Sequence, residues 1–84
     1  MRNRHAWTER DEEGVKREVE AHKELGRWRL RFKGAGDEHW TPLDPPSRES
    51  LETLRGILWR KYQRRRASYE DVVLADKMLA ETTE

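Results

Sequence analysis

Apolar and polar residues alternate between Val15 and Lys33, and this alternation constrains the fold more than any other feature of the sequence. In the segment RWRLRFK, residues 27–33, the apolar side chains would face one side of a strand and the basic ones the other. The preceding segment, residues 15–24, is rich in Glu, Lys and Arg and has high helix propensity. Its apolar residues nevertheless fit a period of two better than the helical period. We therefore predict a β-hairpin, with a helix in place of the first strand as the alternative.

The expected register of this hairpin opposes unlike charges on one face and apolar residues on the other. A four-residue loop, KELG, would join the strands, with Gly26 in a left-handed conformation. The expected pairs are Glu20 with Arg29, Glu18 with Arg31, Val19 with Leu30, and Ala21 with Trp28. A shift by one residue would turn the apolar set to water. Since acidic residues would neutralise the basic strand face, the pattern favours a structural sheet over an RNA-reading one.

A short third strand is expected after the turn formed by residues 34–38. His39–Thr41 would pair at the edge of the sheet, because Pro42 removes a ladder donor. Trp40 would join the apolar face. The polar residues 1–14 are predicted to form a mobile arm, and residues 82–84 a frayed end.

Two helices follow in the predicted fold. Ser47, placed after two prolines, would cap a helix over residues 47–66. Its apolar stripe consists of Leu51, Leu54, Leu58 and Tyr62, flanked by Ile57 and Trp59. Ser68 followed by Asp71 predicts the cap of a second helix that ends near Ala80. The predicted fold class is α+β, a three-stranded antiparallel meander packed on two C-terminal helices in one domain, residues 15–81, with the order α-β-β-α-α as the alternative.

Three residues of the second helix raise questions about what covers them. Asp76 falls inside the apolar arc, so we expect a tie to Lys61, Arg65 or the Tyr62 hydroxyl. Leu74 and Met78 stand on the far side of the helix, where either the sheet or another chain would have to cover them.

The end of the first helix carries the strongest chemical signal. The residues concerned are Trp59, Arg60, Lys61, Tyr62, Arg64, Arg65 and Arg66. Clustered Arg and Lys neutralise phosphates and aromatic rings stack on bases, which indicates a nucleic-acid contact. Cations also favour the C-terminal pole of a helix, and on an ideal helix these charges encircle the axis instead of lining one side. The sequence therefore favours a solvated helix end.

Composition excludes several other classes of function. The 84 residues carry 18 basic and 17 acidic side chains, so the net charge of +1 announces no polyanion partner. Without cysteine there is no disulfide, thiol catalysis or Cys-based zinc site. His5, His22 and His39 lack metal-ligand spacing, and no catalytic or cofactor motif is present. No segment is apolar enough for a membrane span or a signal peptide, so a cytoplasmic protein is the default expectation.

The leading functional hypothesis is a non-enzymatic interaction domain that binds itself or another protein. It would be a homodimer with Leu74 and Met78 at the contact, or an accessory subunit. The alternative is weak, salt-sensitive nucleic-acid binding through the basic end of the 47–66 helix. A helix-turn-helix DNA reader fails on charge, because the second helix is acidic, with Glu70, Asp71, Asp76 and Glu81 against Lys77.

Overall fold

A computed structural model of the chain describes residues 4–82 and places two helices against one antiparallel sheet. The strands, in their spatial order, are β1 (Arg4–Arg10), β2 (Lys16–Glu24), β3 (Arg27–Gly34) and β4 (Thr41–Pro42). The helices are α1 (Arg48–Gln63) and α2 (Tyr69–Glu81). The predicted α+β class is confirmed. Residues 1–3 and 83–84 lie outside the described residues, and with them that part of the predicted arm and of the predicted frayed end. Thr82 is the C-cap of α2.

The predicted mobile arm is wrong over Arg4–Arg10, which form the edge strand β1. This strand pairs antiparallel with β2, with Trp7 opposite Val19. Its inward positions alternate as a strand requires, but two of them carry the polar residues His5 and Glu9. A period-two search for apolar residues therefore finds only Trp7. The polar side chains are accommodated by contacts with distant residues: Glu9 accepts hydrogen bonds from Ser50 and Arg17, and His5 contacts Lys61.

The hairpin of β2 and β3 is confirmed, but its register differs by two residues from the predicted one. A two-residue turn, Leu25–Gly26, replaces the four-residue loop, and both residues have positive φ, 52° and 75°. Such a turn matches the right-handed twist of the flanking strands. The observed pairs are Glu18 with Lys33, Val19 with Phe32, Glu20 with Arg31, and Ala21 with Leu30. Because a shift of two preserves the faces, the apolar side and the charged side are the ones predicted.

Unlike charges meet on the outer face of the sheet, although in the shifted register. Arg31 Nε donates to Glu20 Oε1 over 2.7 Å, and Arg29 lies 3.8 Å from Glu24. Arg29 and Arg31 of β3 are thus paired with carboxylates of β2, as the sequence indicates.

The core lies between the sheet and the helices. Its buried apolar residues are Val19, Ala21, Trp28, Leu30, Leu51, Leu54, Leu58, Ala67, Val72, Ala75 and Met78. Trp28 is the largest of them, and its indole Nε1 donates to the carbonyl of Asp71 at 3.3 Å. This bond ties the sheet to the first turn of α2.

The predicted edge position of the last strand is confirmed, while the expected position of Trp40 is wrong. β4 contains only Thr41 and Pro42. Trp40 precedes the strand and lies against the charged face, where the Arg31 guanidinium is 4.6 Å from the ring centroid. The ring covers the guanidinium and does not join Phe32 on the core side.

Both helices begin where predicted, but α1 ends three residues early. The hydroxyls of Ser47 and Ser68 accept from the backbone N–H groups of Ser50 and Asp71. At the other end, Arg65 takes a left-handed φ of 61°. The N–H of Arg66 donates to the Lys61 carbonyl at 2.7 Å, and that of Arg65 to the Tyr62 carbonyl at 2.9 Å. This is the Schellman closure, with arginine where glycine is usual.

Candidate functional site

Three aromatic rings form a continuous row on the surface where α1 ends and α2 begins. Trp59 and Tyr62 are three residues apart on α1, so they are neighbours on its flank. Tyr69, the first residue of α2, extends the row. Successive ring centroids are 5.6 Å and 5.4 Å apart. All three rings are exposed, Tyr69 to 56%. We call Trp59, Tyr62 and Tyr69 the aromatic row.

Four arginines adjoin this row in the chain, and we call them the arginine cluster: Arg60, Arg64, Arg65 and Arg66. All four are exposed, and none forms an ion pair with another residue of the part 4–82. Other arginines of the chain do have carboxylate partners, namely Arg4, Arg17, Arg27, Arg29, Arg31, Arg48 and Arg55. Four positive charges without ion-pair partners in this part of the chain therefore lie close together in sequence, at the end of α1 and just after it.

The sequence pattern disfavoured a binding site here because basic residues would encircle the helix. That objection does not apply to three of the four arginines. The expectation that the charges encircle a helix assumes that the helix continues to Arg66. Since α1 ends at Gln63, Arg64–Arg66 have no helical phase, and they follow the closure of the helix as a short connection.

Lys61 belongs to a different environment from the rest of the predicted cluster. Its Nζ lies 2.9 Å from His5 Nδ1, and the side chain is partly buried. His5 is 3% exposed and meets the Trp28 ring edge-on at 5.5 Å. Burial lowers the pKa of His5, and the charge of Lys61 lowers it further, against an opposing effect of Asp71. The neutral imidazole is the form that suits this site.

Asp76 has a partner that the sequence did not suggest. Its Oδ1 accepts from Arg55 Nε at 2.6 Å, so the expected tie to Lys61, Arg65 or Tyr62 is wrong. The guanidinium of Arg55 also lies 5.7 Å from the ring of Trp59, which is four residues further along α1. Arg55 therefore borders the aromatic row. The spacing of four residues between Arg55 and Trp59 was the sequence signal that could have identified Arg55 as a neighbour of the row.

The buried carboxylate of α2 is Asp71, which the sequence predicted as part of a cap and as one of the acidic charges of the second helix. Its side chain is 2% exposed and accepts from Lys23 Nζ at 2.6 Å. Lys23 lies on the core-facing side of β2, where a period-two pattern expects an apolar residue. The pair ties β2 to α2. It explains why a lysine lies on the core-facing side of β2 and why a carboxylate is buried on α2.

The predicted interface residues Leu74 and Met78 are not exposed together. Met78 is 3% exposed and belongs to the core, and the backbone N–H of Trp28 donates to its sulfur at 3.3 Å. Leu74 is only partly buried against the core. A contact between chains through Met78 is therefore wrong, because β3 already covers that side of α2.

Two further classes of site lack structural support in the described chain. Within residues 4–82, no group of three or more His, Asp or Glu side chains could hold a metal ion. A cleft along β3 is lined by Trp40 and by arginines, but Arg27, Arg29 and Arg31 are each paired with a carboxylate.

Within residues 4–82, neither helix has the length and apolar character that crossing a membrane requires.

Comparison with protein-family models, with curated proteins and with solved structures finds no match for this chain.

Proposed function

We propose that this chain is a non-enzymatic binding domain whose ligand is single-stranded nucleic acid. The observation that carries the proposal is the arginine cluster, which has no carboxylate partner within residues 4–82 and adjoins the exposed aromatic row in the chain. Met78 takes no part in this proposal, because it lies in the core.

Each part of this surface matches one chemical feature of the ligand. Guanidinium groups bind phosphates and release their counterions, which gives affinity that falls with salt. Exposed rings stack on unpaired bases at about 1–3 kcal/mol per base, without strong sequence preference. A duplex would offer phosphates but would keep its bases inside the stack. The rings therefore favour single strands over duplexes.

A salt titration tests this proposal quantitatively. If the arginine cluster contacts three or four phosphates of a single strand, the slope of log K against log salt is about −2 to −3. Fluorescence anisotropy with a labelled single-stranded oligonucleotide measures this slope. We expect the matching duplex to bind more weakly at each salt concentration.

Paired double variants separate the cluster from general charge. Arg64→Gln with Arg66→Gln should reduce the slope by about 1.4, at about 0.7 for each lost phosphate contact. Arg65 is left unchanged because it closes α1. The control, Arg29→Gln with Arg48→Gln, removes the same charge from exposed residues of β3 and α1 and should leave the slope nearly unchanged.

An aromatic variant tests the second half of the surface. Tyr69→Ala removes the most exposed ring of the row and should weaken binding about tenfold, as expected for loss of one stacked base, while the salt slope stays the same. No binding at low salt would end the proposal. Binding of an acidic peptide without binding of oligonucleotides would assign the surface to a protein partner, and an equal effect of both double variants would remove the site.

A further inference from the structure

The outward face of α2 carries a short stripe with apolar residues between opposite charges. Glu70, Val73, Leu74 and Lys77 follow the spacing i, i+3, i+4, i+7 that places residues on one helix face. Val73 is 44% exposed, and Leu74 is only partly covered by the core. Glu70 and Lys77 are exposed and form no ion pair within the described chain.

The tip of the β2–β3 hairpin supplies an independent observation beside this stripe. Leu25 is 89% exposed and has a φ of 52°, a conformation that Asn, Asp and Gly adopt more readily than leucine. A leucine at this position is therefore unfavourable in two respects: its apolar side chain is exposed to water, and its backbone has a conformation that leucine rarely adopts. Leu25 lines the same surface depression as Val73 and Leu74. A contact on this surface would account for the choice of leucine.

We propose that α2 packs antiparallel against α2 of a second copy of this chain, about a two-fold axis that passes between Val73 and Leu74. An isologous contact requires a surface that is complementary to itself. Glu70 and Lys77 are equidistant from the midpoint of Val73 and Leu74. The two-fold axis therefore brings each Glu70 opposite a Lys77 of the other copy, giving two equivalent ion pairs around an apolar centre.

The charges of the stripe favour a second copy over an unrelated partner. The charges at the two ends of the stripe are opposite in sign and symmetric in position, which is what self-pairing needs. One helix face and one turn make a small contact, near the lower bound of about 1,200 Å² for stable interfaces. We therefore expect a dissociation constant in the micromolar range or weaker. The contact uses no residue of the arginine cluster or of the aromatic row.

A charge-swap experiment tests the dimer without any ligand. Sedimentation velocity of the natural chain should show association that increases with protein concentration. Glu70→Lys and Lys77→Glu each place like charges opposite one another twice, and each should raise the dissociation constant at least about tenfold. An equimolar mixture of the two variants should associate as a heterodimer, because lysines then face glutamates at both positions. Lys16→Glu, on the exposed part of β2, is the control and should associate like the natural chain.

The turn gives a second and separate measurement. Leu25→Asn should raise the midpoint of thermal unfolding of the dilute monomer, because Asn accepts the left-handed conformation, and it should weaken association. A natural chain that stays monomeric up to millimolar concentration would overturn the proposal. So would charge variants that associate as well as the natural chain, or a mixture that fails to restore association. An unchanged dissociation constant in Leu25→Asn would remove the turn from the interface.

Discussion

The substitution Lys23→Met should destabilise this protein strongly because it leaves a buried carboxylate without its partner. Asp71 is 2% exposed and accepts from Lys23 at 2.6 Å. Methionine keeps most of the aliphatic stem of lysine, so the loss of the ammonium group is the main change. Breaking a buried ion pair by removing one partner costs about 3–5 kcal/mol. Since the Lys23 side chain is 29% exposed, water can partly solvate the site, and we expect the lower end, about 3 kcal/mol.

This loss is large for a chain of 84 residues. Domains of this size have a free energy of unfolding of roughly 4–13 kcal/mol, at about 0.05–0.15 kcal/mol per residue. A loss of about 3 kcal/mol would lower the melting temperature by about 12–24 °C. Lys16→Met is the matched control, since it removes the same charge from an exposed position of the same strand. Its effect should stay within about 0.5 kcal/mol.

Removing the charge of Asp71 should destabilise the protein less than removing that of Lys23, and this difference is the most specific part of the test. In Asp71→Asn the remaining charge is on Lys23, which can turn toward solvent, so we expect about 1–1.5 kcal/mol. The double variant should cost less than the sum of the single ones, because it buries no unpaired charge. Urea unfolding followed by tryptophan fluorescence measures the stability of the natural chain, the two single variants and the double variant. The reasoning is refuted if Lys23→Met costs less than Asp71→Asn.

Three further predictions concern pH, the hairpin turn and the core. Burial lowers the pKa of His5; burial would raise the pKa of Glu9, but hydrogen bonds from neighbouring side chains outweigh it and lower that pKa. The folded chain therefore holds fewer protons than the unfolded one, so stability is full above the unfolded values of 6.5 and 4.5 and is lost as pH falls below each. Urea unfolding from pH 8 to pH 3 should show both losses of stability, and His5→Gln should remove the one at the higher pH. Gly26→Ala should cost about 1–2 kcal/mol, since nothing crowds the site and only the φ of 75° opposes a side chain; no loss in urea unfolding would contradict this. Leu58→Ala should cost about 2–5 kcal/mol by the same assay, because the side chain is fully buried, and a smaller loss would mean that the core closes around the cavity.

The hairpin illustrates how far alternation alone predicts a sheet. The pattern assigned the faces of β2 and β3, but it could not choose between two registers that differ by two residues, because both keep every side chain on its face. The turn decided between them, and the Leu25–Gly26 turn has a leucine where the usual sequence signals are Asn, Asp or Gly. A rule based on local composition could therefore not predict this turn.

The candidate site was only partly predictable. The basic and aromatic residues near the end of α1 were identified from their density in the sequence. Their arrangement was not, because the helix closes with Arg65 in a left-handed conformation and no glycine marks the end. Tyr69 joined the row only because the short connection brings the start of α2 beside Tyr62.

The sequence by itself determined the local features, because period, capping and propensity depend on residues a few positions apart. These features are the two helix starts, the alternation of the hairpin, and the edge position of the strand at Pro42. Tertiary structure alone decided which polar residues could be buried. β1 forms with Glu9 inward because Ser50, distant in sequence, donates to its carboxylate, and Asp71 is tolerated in the core because Lys23 reaches it from the sheet. A buried polar group is stable only with a partner, and that partner is fixed by the packing of distant elements, which no local pattern contains.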